Sequence, residues 1–206
     1  MEMENKPEVA VETTTEAEAP ENKKKGEKKT VLQEILSWIF TLGAAVLIAL
    51  FIRTCLFEPV RVDGQSMLDT LKDGEVMLVT KPEYIFGQPK NGDVVVCRFP
   101  GTKNEGKNFV KRIVGTPGDV IEFRSGVLYR NGEAVEEGYI TERRRDPYNM
   151  EPITLGEDEY FVCGDNRINS HDCRTLIVGP EPITRKMIRG HVQMVVFPFS
   201  QWRTID

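Results

Sequence analysis

Three stretches of the sequence hold residue types that could do chemistry together. Ser66 lies in Val60-Arg61-Val62-Asp63-Gly64-Gln65-Ser66-Met67. Gly64 lets the backbone turn sharply, which presents a hydroxyl and nearby N–H groups to a substrate. Lys111 lies in Phe109-Val110-Lys111-Arg112-Ile113-Val114-Gly115, an apolar segment that reads as a strand. Alternation puts Phe109, Lys111 and Ile113 on one face and Val110 and Arg112 on the other. One of the two bases must then meet an apolar environment or a partner. Burial disfavours the charged form of a lysine, and a neutral amine is a general base for a serine hydroxyl. The third stretch, residues 161–174, is a dense polar loop after an apolar strand, with groups able to orient a base. Each has an ordinary counterpart: a surface serine, an edge strand with solvated charges, and a solvated turn.

Other chemistries fit less well. His171 beside Asp172 suggests a Ser-His-Asp triad, but adjacent residues on a strand or tight loop point apart. His191 reads as an ordinary strand histidine. Cys55, Cys97, Cys163 and Cys173 show no CxxC spacing and, with two histidines, make a poor zinc set, so no metal or cofactor is expected. Cys163 and Cys173 are close enough in sequence to pair in an oxidising compartment. A net charge of -5 argues against a nucleic-acid partner.

The elements that must position these residues fall into three parts. Residues 1–30 hold almost no large apolar side chains and predict a disordered tail. Residues 35–52 carry no charge, and at about 1.5 Å per residue they span about 27 Å, near a bilayer's hydrocarbon thickness. A transmembrane helix over 31–55 is the expectation, against a cleaved signal peptide or a buried core helix. The run lies far from the N-terminus, and no small-x-small site follows it. Lys23, Lys24, Lys25, Lys28 and Lys29 precede it and place the N-terminus in the cytoplasm; Arg53 and Arg61 weigh the other way. Residues 56–206 predict a mainly β domain of antiparallel sheets or a partly closed barrel. Strands are expected over 75–79, 93–99, 120–135 and 190–197, with Asn131-Gly132 closing a two-residue hairpin.

Taken together, these segments resemble the bacterial type I signal peptidases of the Ser-Lys type. Phe57–Met67 is similar to the family's nucleophile box, Gly92–Val96 to its second box, and Phe109–Ile121 to its base-carrying box. Gly164-Asp165-Asn166-Arg167, then Asn169-Ser170 and Asp172-Cys173-Arg174, are similar to the last. The resemblance covers nearly all of the chain from Ile35 onward, with the boxes in order.

It implies an endopeptidase that removes signal peptides from exported preproteins, with no cofactor. Ser66 would be the nucleophile, its backbone N–H the oxyanion donor, Lys111 the base, and Ser170 the group that orients the lysine amine. Arg112 with Asp165 and Asp172 with Arg174 would be structural braces. Val62, Met67, Leu71 and Val110 would line shallow pockets for small residues at -1 and -3, with the substrate added as a strand. A single-pass enzyme in the cell membrane, its domain on the outer face, is implied; the oligomeric state is not. The chain departs from the family pattern at Asp69, where a proline is usual, and at Cys173, where a serine is usual. Gly64 stands where some relatives carry a second hydroxyl. Eukaryotic-type relatives carry histidine where this chain has Lys111. Two other readings compete: a self-cleaving regulator with the same Ser-Lys logic, disfavoured by the apolar span, and a membrane-tethered β-domain that binds peptides without cutting them, disfavoured by the presence of both Ser66 and Lys111.

Overall fold

The computed structural model describes residues 30–52, 56–81, 84, 87–99, 107–175 and 179–205. The expected disordered tail, apart from Thr30, lies outside them, as do the lysine cluster, Arg53 and Cys55. Helix α1 spans Val31–Phe51, 21 residues, or about 32 Å at 1.5 Å per residue. Its single charged residue is Glu34 in the first turn, and none of its residues is buried. By length and composition it suffices to cross a membrane.

The rest is antiparallel β. In chain order the strands are β1 (Phe57–Arg61), β2 (Val76–Thr80), β3 (Val94–Cys97), β4 (Phe109–Gly115), β5 (Val120–Arg124) and β6 (Val127–Arg130). They continue with β7 (Glu133–Ala134), β8 (Met150–Thr154), β9 (Glu159–Cys163), β10 (Ile183–Thr184), β11 (Ile188–Phe197) and β12 (Arg203–Thr204). One sheet runs β1-β2-β11-β3-β4-β9-β10, with β12 added to β11; the other runs β7-β6-β5-β8. Pro59 sits in β1, which pairs only with β2, an edge where a missing N–H is tolerated.

Strand β3 shows how the sheet is held. All four of its residues are buried. Val95 and Cys97 join a core with Ile113, Ile121, Phe123 and Phe161, while Val94 and Val96 join a second core with Val62, Met67, Leu71 and Met77. A strand with apolar groups on both faces has no solvent side to present, which is why its sequence does not alternate. Each such side chain contributes about 1.5–3 kcal/mol when fully buried.

The hairpin between β6 and β7 has the expected turn, with φ of 55° at Asn131 and 85° at Gly132. Strand β4 differs from the simple alternation. It lies between β3 and β9 rather than at an edge, and Lys111 through Gly115 are all buried. Both bases are therefore out of water, not one. Cys97, Cys163 and Cys173 are buried free thiols, so the possible Cys163–Cys173 pairing is not formed. The Val162 N–H instead donates to Cys173 Sγ at 3.4 Å.

Candidate active site

Ser66 follows β1 on the turn that leads to β2. Gly64 takes φ +102°, a conformation that side chains resist, and its N–H donates to Asp73 Oδ1 at 2.8 Å. The Leu71 N–H donates to Met67 O at 2.8 Å, which winds the chain just past the serine. The Ser66 N–H has no acceptor among the described residues, and so remains available to a developing oxyanion.

Lys111 reaches this turn from β4. Its Nζ lies 2.8 Å from Ser66 Oγ and donates to Val110 O at 2.9 Å. The residue is 2% exposed, and among the described residues no carboxylate forms an ion pair with it. Burial holds its amine below the ordinary lysine range; the nearby Cys97 and the more distant Asp172 oppose that only in part.

The loop after β9 closes over the turn. Asn166 N donates to Ser66 O at 3.0 Å, and Asn166 Nδ2 donates to Gln65 O at 2.9 Å. Three buried guanidiniums hold this loop. Arg112 Nε and Nη2 meet the Asp165 carboxylate at 3.1 and 3.0 Å, and Thr70 Oγ1 donates to the same carboxylate, tying it to the serine turn. Arg174 meets Asp172 at 2.9 and 3.0 Å, while Asp172 Oδ2 also accepts the Gly164 N–H at 2.9 Å. Arg167 pairs with Glu137, its Nε donating to Gly164 O at 2.9 Å. Burial alone would raise Asp172; the Arg174 guanidinium and the Gly164 N–H outweigh it and hold the carboxyl below its ordinary range. Burial and then Glu137 push Tyr139 up, so it stays a phenol. The Tyr139 hydroxyl donates to Glu137 at 2.7 Å, and its ring lies 4.1 Å beneath the Arg112 guanidinium.

Gly164 has no room for a side chain. A Cβ there would lie 2.2 Å from Ser170 Oγ and 2.4 Å from Ser66 O. Ser170 is thus packed against the serine turn, but its Oγ is buried without a full hydrogen bond. It lies near enough to the Asp172 carboxylate to help keep it ionised, and in no bonding geometry with Lys111.

A cleft of about 220 Å³ runs from the pair, with Val62, Met67, Val96 and Val110 on its walls. Leu71 is not among them. It is fully buried in the core beneath, packed with Val62 and Met67. Asp69, three residues past Ser66, faces Arg143 at 3.4 Å, Arg144 at 3.7 Å and the Thr141 hydroxyl at 3.2 Å. Sequence reasoning missed Glu137, Tyr139, Thr70 and Asn166. Only Asn166, inside the polar loop, carried a signal.

Among the described residues no cluster of side chains could hold a metal ion. The family model described as signal peptidase, peptidase S26, matches residues 35–197. Signal peptidase I of Bacillus licheniformis is 37% identical over 180 residues, spanning 84% of this chain and 94% of that protein. Signal peptidase I T of Bacillus subtilis is 36% identical over 197 residues, 92% of this chain and 98% of that protein. A crystallised signal peptidase I from Enterococcus faecalis is 26% identical, with a TM-score of 0.41, and the match covers 51% of this chain and 97% of that one.

Proposed function

The chain belongs to the signal peptidase family, peptidase S26, as a serine endopeptidase that removes signal peptides from preproteins, and we propose that Ser66 and Lys111 are its nucleophile and general base. The observation that carries this reading is an amine out of water, without an ion pair, 2.8 Å from a serine oxygen.

The reaction is acyl transfer in two halves. Neutral Lys111 accepts the Ser66 proton as Oγ attacks the scissile carbonyl, and the resulting oxyanion takes a hydrogen bond from the Ser66 N–H. The C–N bond then breaks, and the lysine ammonium gives its proton to the departing amine. Water enters, gives a proton to the amine, and attacks the ester; the proton returns to Ser66 as the new carboxylate leaves. Ser170 is assigned to orienting the amine during these transfers, since a buried hydroxyl with no full hydrogen bond has a bond to offer. Asp165 with Arg112, and Asp172 with Arg174, hold the loop that positions the serine turn.

Specificity for small residues at -1 and -3 is assigned to the apolar walls that Val62, Met67 and Val110 give a cleft also lined by Arg61, Asp63, Lys107 and Asn108, with Leu71 in the core packed against Val62 and Met67. The substrate backbone would add as a strand, which supplies affinity independent of side chains. Helix α1 is assigned to crossing the cell membrane once, the N-terminus in the cytoplasm and the domain from residue 56 onward outside. Tethering enzyme and substrate to one bilayer raises their effective concentration. No segment of this scheme requires a cofactor.

The test uses the full-length chain in detergent and a preprotein with small residues at -1 and -3. Cleavage at that junction, lost in Ser66→Ala and in Lys111→Ala alike, is the expected result. Retention of cleavage in Lys111→Ala would remove the base. Protease accessibility of the tail in intact cells checks the orientation.

A further inference from the structure

The connection between β7 and β8, residues 135–149, touches all three guanidiniums that hold the loop after β9. Tyr139 lays its ring 4.1 Å beneath Arg112, Glu137 faces Arg167, and the Tyr148 hydroxyl donates to Arg174 O at 3.0 Å. Glu137 is the one of the three that is buried, at 5% exposed. Arg167 Nη1 donates to its Oε2 at 3.2 Å and Nη2 to its Oε1. The Tyr139 hydroxyl donates to the same Oε1 at 2.7 Å. Neither Glu137 nor Tyr139 is among the residues that line the cleft beside Ser66.

With two of its nitrogens on Glu137, Arg167 directs the remaining one, Nε, at Gly164 O, 2.9 Å away. The Gly164 N–H is taken by Asp172 at 2.9 Å. Both polar atoms of Gly164 are thus held by buried charged side chains. Gly164 is also where the loop comes nearest to the serine turn and to Ser170, with no space for a Cβ between them. A guanidinium is planar and rigid, so a carboxylate that fixes two of its nitrogens also aims the third. We propose that Glu137, supported by Tyr139, is a positioning residue of the reaction: through Arg167 it sets the place of Gly164, and with it the spacing between Ser66 and Ser170. The inference rests on the assignment of Ser66 and Lys111 as the reacting pair.

Glu137 acts on the alignment of the serine turn and not on the holding of substrate. A misplacement of about 1 Å at a reacting atom can lower a rate by about 10²-fold, while cleft walls that do not move bind as before. The effect of changing Glu137 therefore falls on kcat and leaves KM nearly as it was. Glutamine at this position keeps the size but turns an amide NH2 toward the guanidinium, donor against donor. Aspartate keeps the charge on a shorter stem. Phenylalanine at 139 keeps a ring beneath Arg112 and drops the bond to Glu137.

The experiment uses the full-length chain in detergent and a preprotein with small residues at -1 and -3. Activity is counted per folded molecule, with the folded fraction read by near-ultraviolet circular dichroism. Glu137→Gln is expected to lower kcat by about tenfold or more, with KM within about twofold of wild type. Glu137→Asp should recover part of that loss, and Tyr139→Phe should lower kcat by about twofold to fivefold. A paired variant, Glu137→Leu with Arg167→Met, separates alignment from stability. It exchanges a buried ion pair for apolar side chains, so its urea midpoint should return toward that of wild type. Its kcat should nonetheless stay as low as in Glu137→Gln, because Gly164 O has lost its donor. A wild-type kcat in the paired variant, or a raised KM with unchanged kcat in Glu137→Gln, overturns the proposal and leaves Glu137 a brace for folding alone. If Ser66→Ala cleaves as well as wild type, the fault lies with the assigned reacting pair and not with Glu137.

Discussion

Two buried regions meet at the Lys111–Arg112 step of β4 and treat charge in opposite ways. On one side Arg112, Arg167 and Arg174 each face a carboxylate, from Asp165, Glu137 and Asp172, so every charge taken out of water is matched. On the other side a single amine is buried to the same degree, and its close polar neighbours are Ser66 Oγ and Val110 O. Among the described residues Lys111 is the one buried ionisable side chain of the acidic or basic kind without an ion pair. Pairing keeps the arginines charged and rigid. Isolation weakens the amine's hold on its proton, the direction that the proposed base requires. Consecutive residues of one strand thus have different roles because of what faces them.

The comparison breaks most visibly at Ser66 and Lys111, the proposed nucleophile and base. Lys111→Met and Ser66→Ala should each lower kcat/KM by at least about 10³-fold, read in a preprotein cleavage assay. Lys111→Met should at the same time be no less stable than wild type in urea, because a desolvated amine has been exchanged for an apolar chain. A marked loss of stability would mean that the lysine is a brace like its neighbour.

Removing one partner from the matched region should do the reverse. Asp165→Ala takes away the carboxylate that faces the buried Arg112 guanidinium, at a cost of about 3–5 kcal/mol in unfolding free energy. Replacing both by leucine and methionine should cost less than the single change. Equal cost for the single and double variants would argue against the pair as the source.

The two regions should also separate on a pH axis. Lys111 titrates below its ordinary value, so activity rises with pH through that depressed value and falls on its acid side. Asp172 is held below the ordinary carboxylate value, so its pairing contributes stability above about pH 4 that is lost as pH falls through the folded value. Cleavage should therefore fail on acidification while near-ultraviolet circular dichroism still reports a packed core. Coincident loss of both would sink the distinction. The smallest effect belongs to Asp69: Asp69→Asn loosens a partly exposed cluster with Arg143 and Arg144 and should change stability by no more than about 1 kcal/mol.

How much of this was legible from sequence follows from the range of each signal. Asn131-Gly132 was readable because a two-residue turn is decided by its own backbone angles. The mainly β class was readable from short apolar runs between turn residues. The fate of Lys111 and Arg112 was not, because alternation assumes one wet face, and β4 has core on both sides. The role of Glu137 was hidden as well. Nothing in its local surroundings marks it as the partner of an arginine 30 residues later. Leu71 shows the same limit: a position near the cleft in sequence says little about which side of the turn a side chain takes.

Strand order carries one more consequence. The segment with Ser66 belongs to β1 and β2, and the one with Lys111 to β3 and β4; the strand that lies between these pairs is β11. Arg203, further on still, donates to Thr70 O beside the serine turn. Synthesis from the N-terminus therefore delivers Ser66 and Lys111 long before the strand that joins their halves. A chain ended before Ile188 lacks the strand that pairs with both β2 and β3, so it should not hold Ser66 beside Lys111, a loss that a cleavage assay would read.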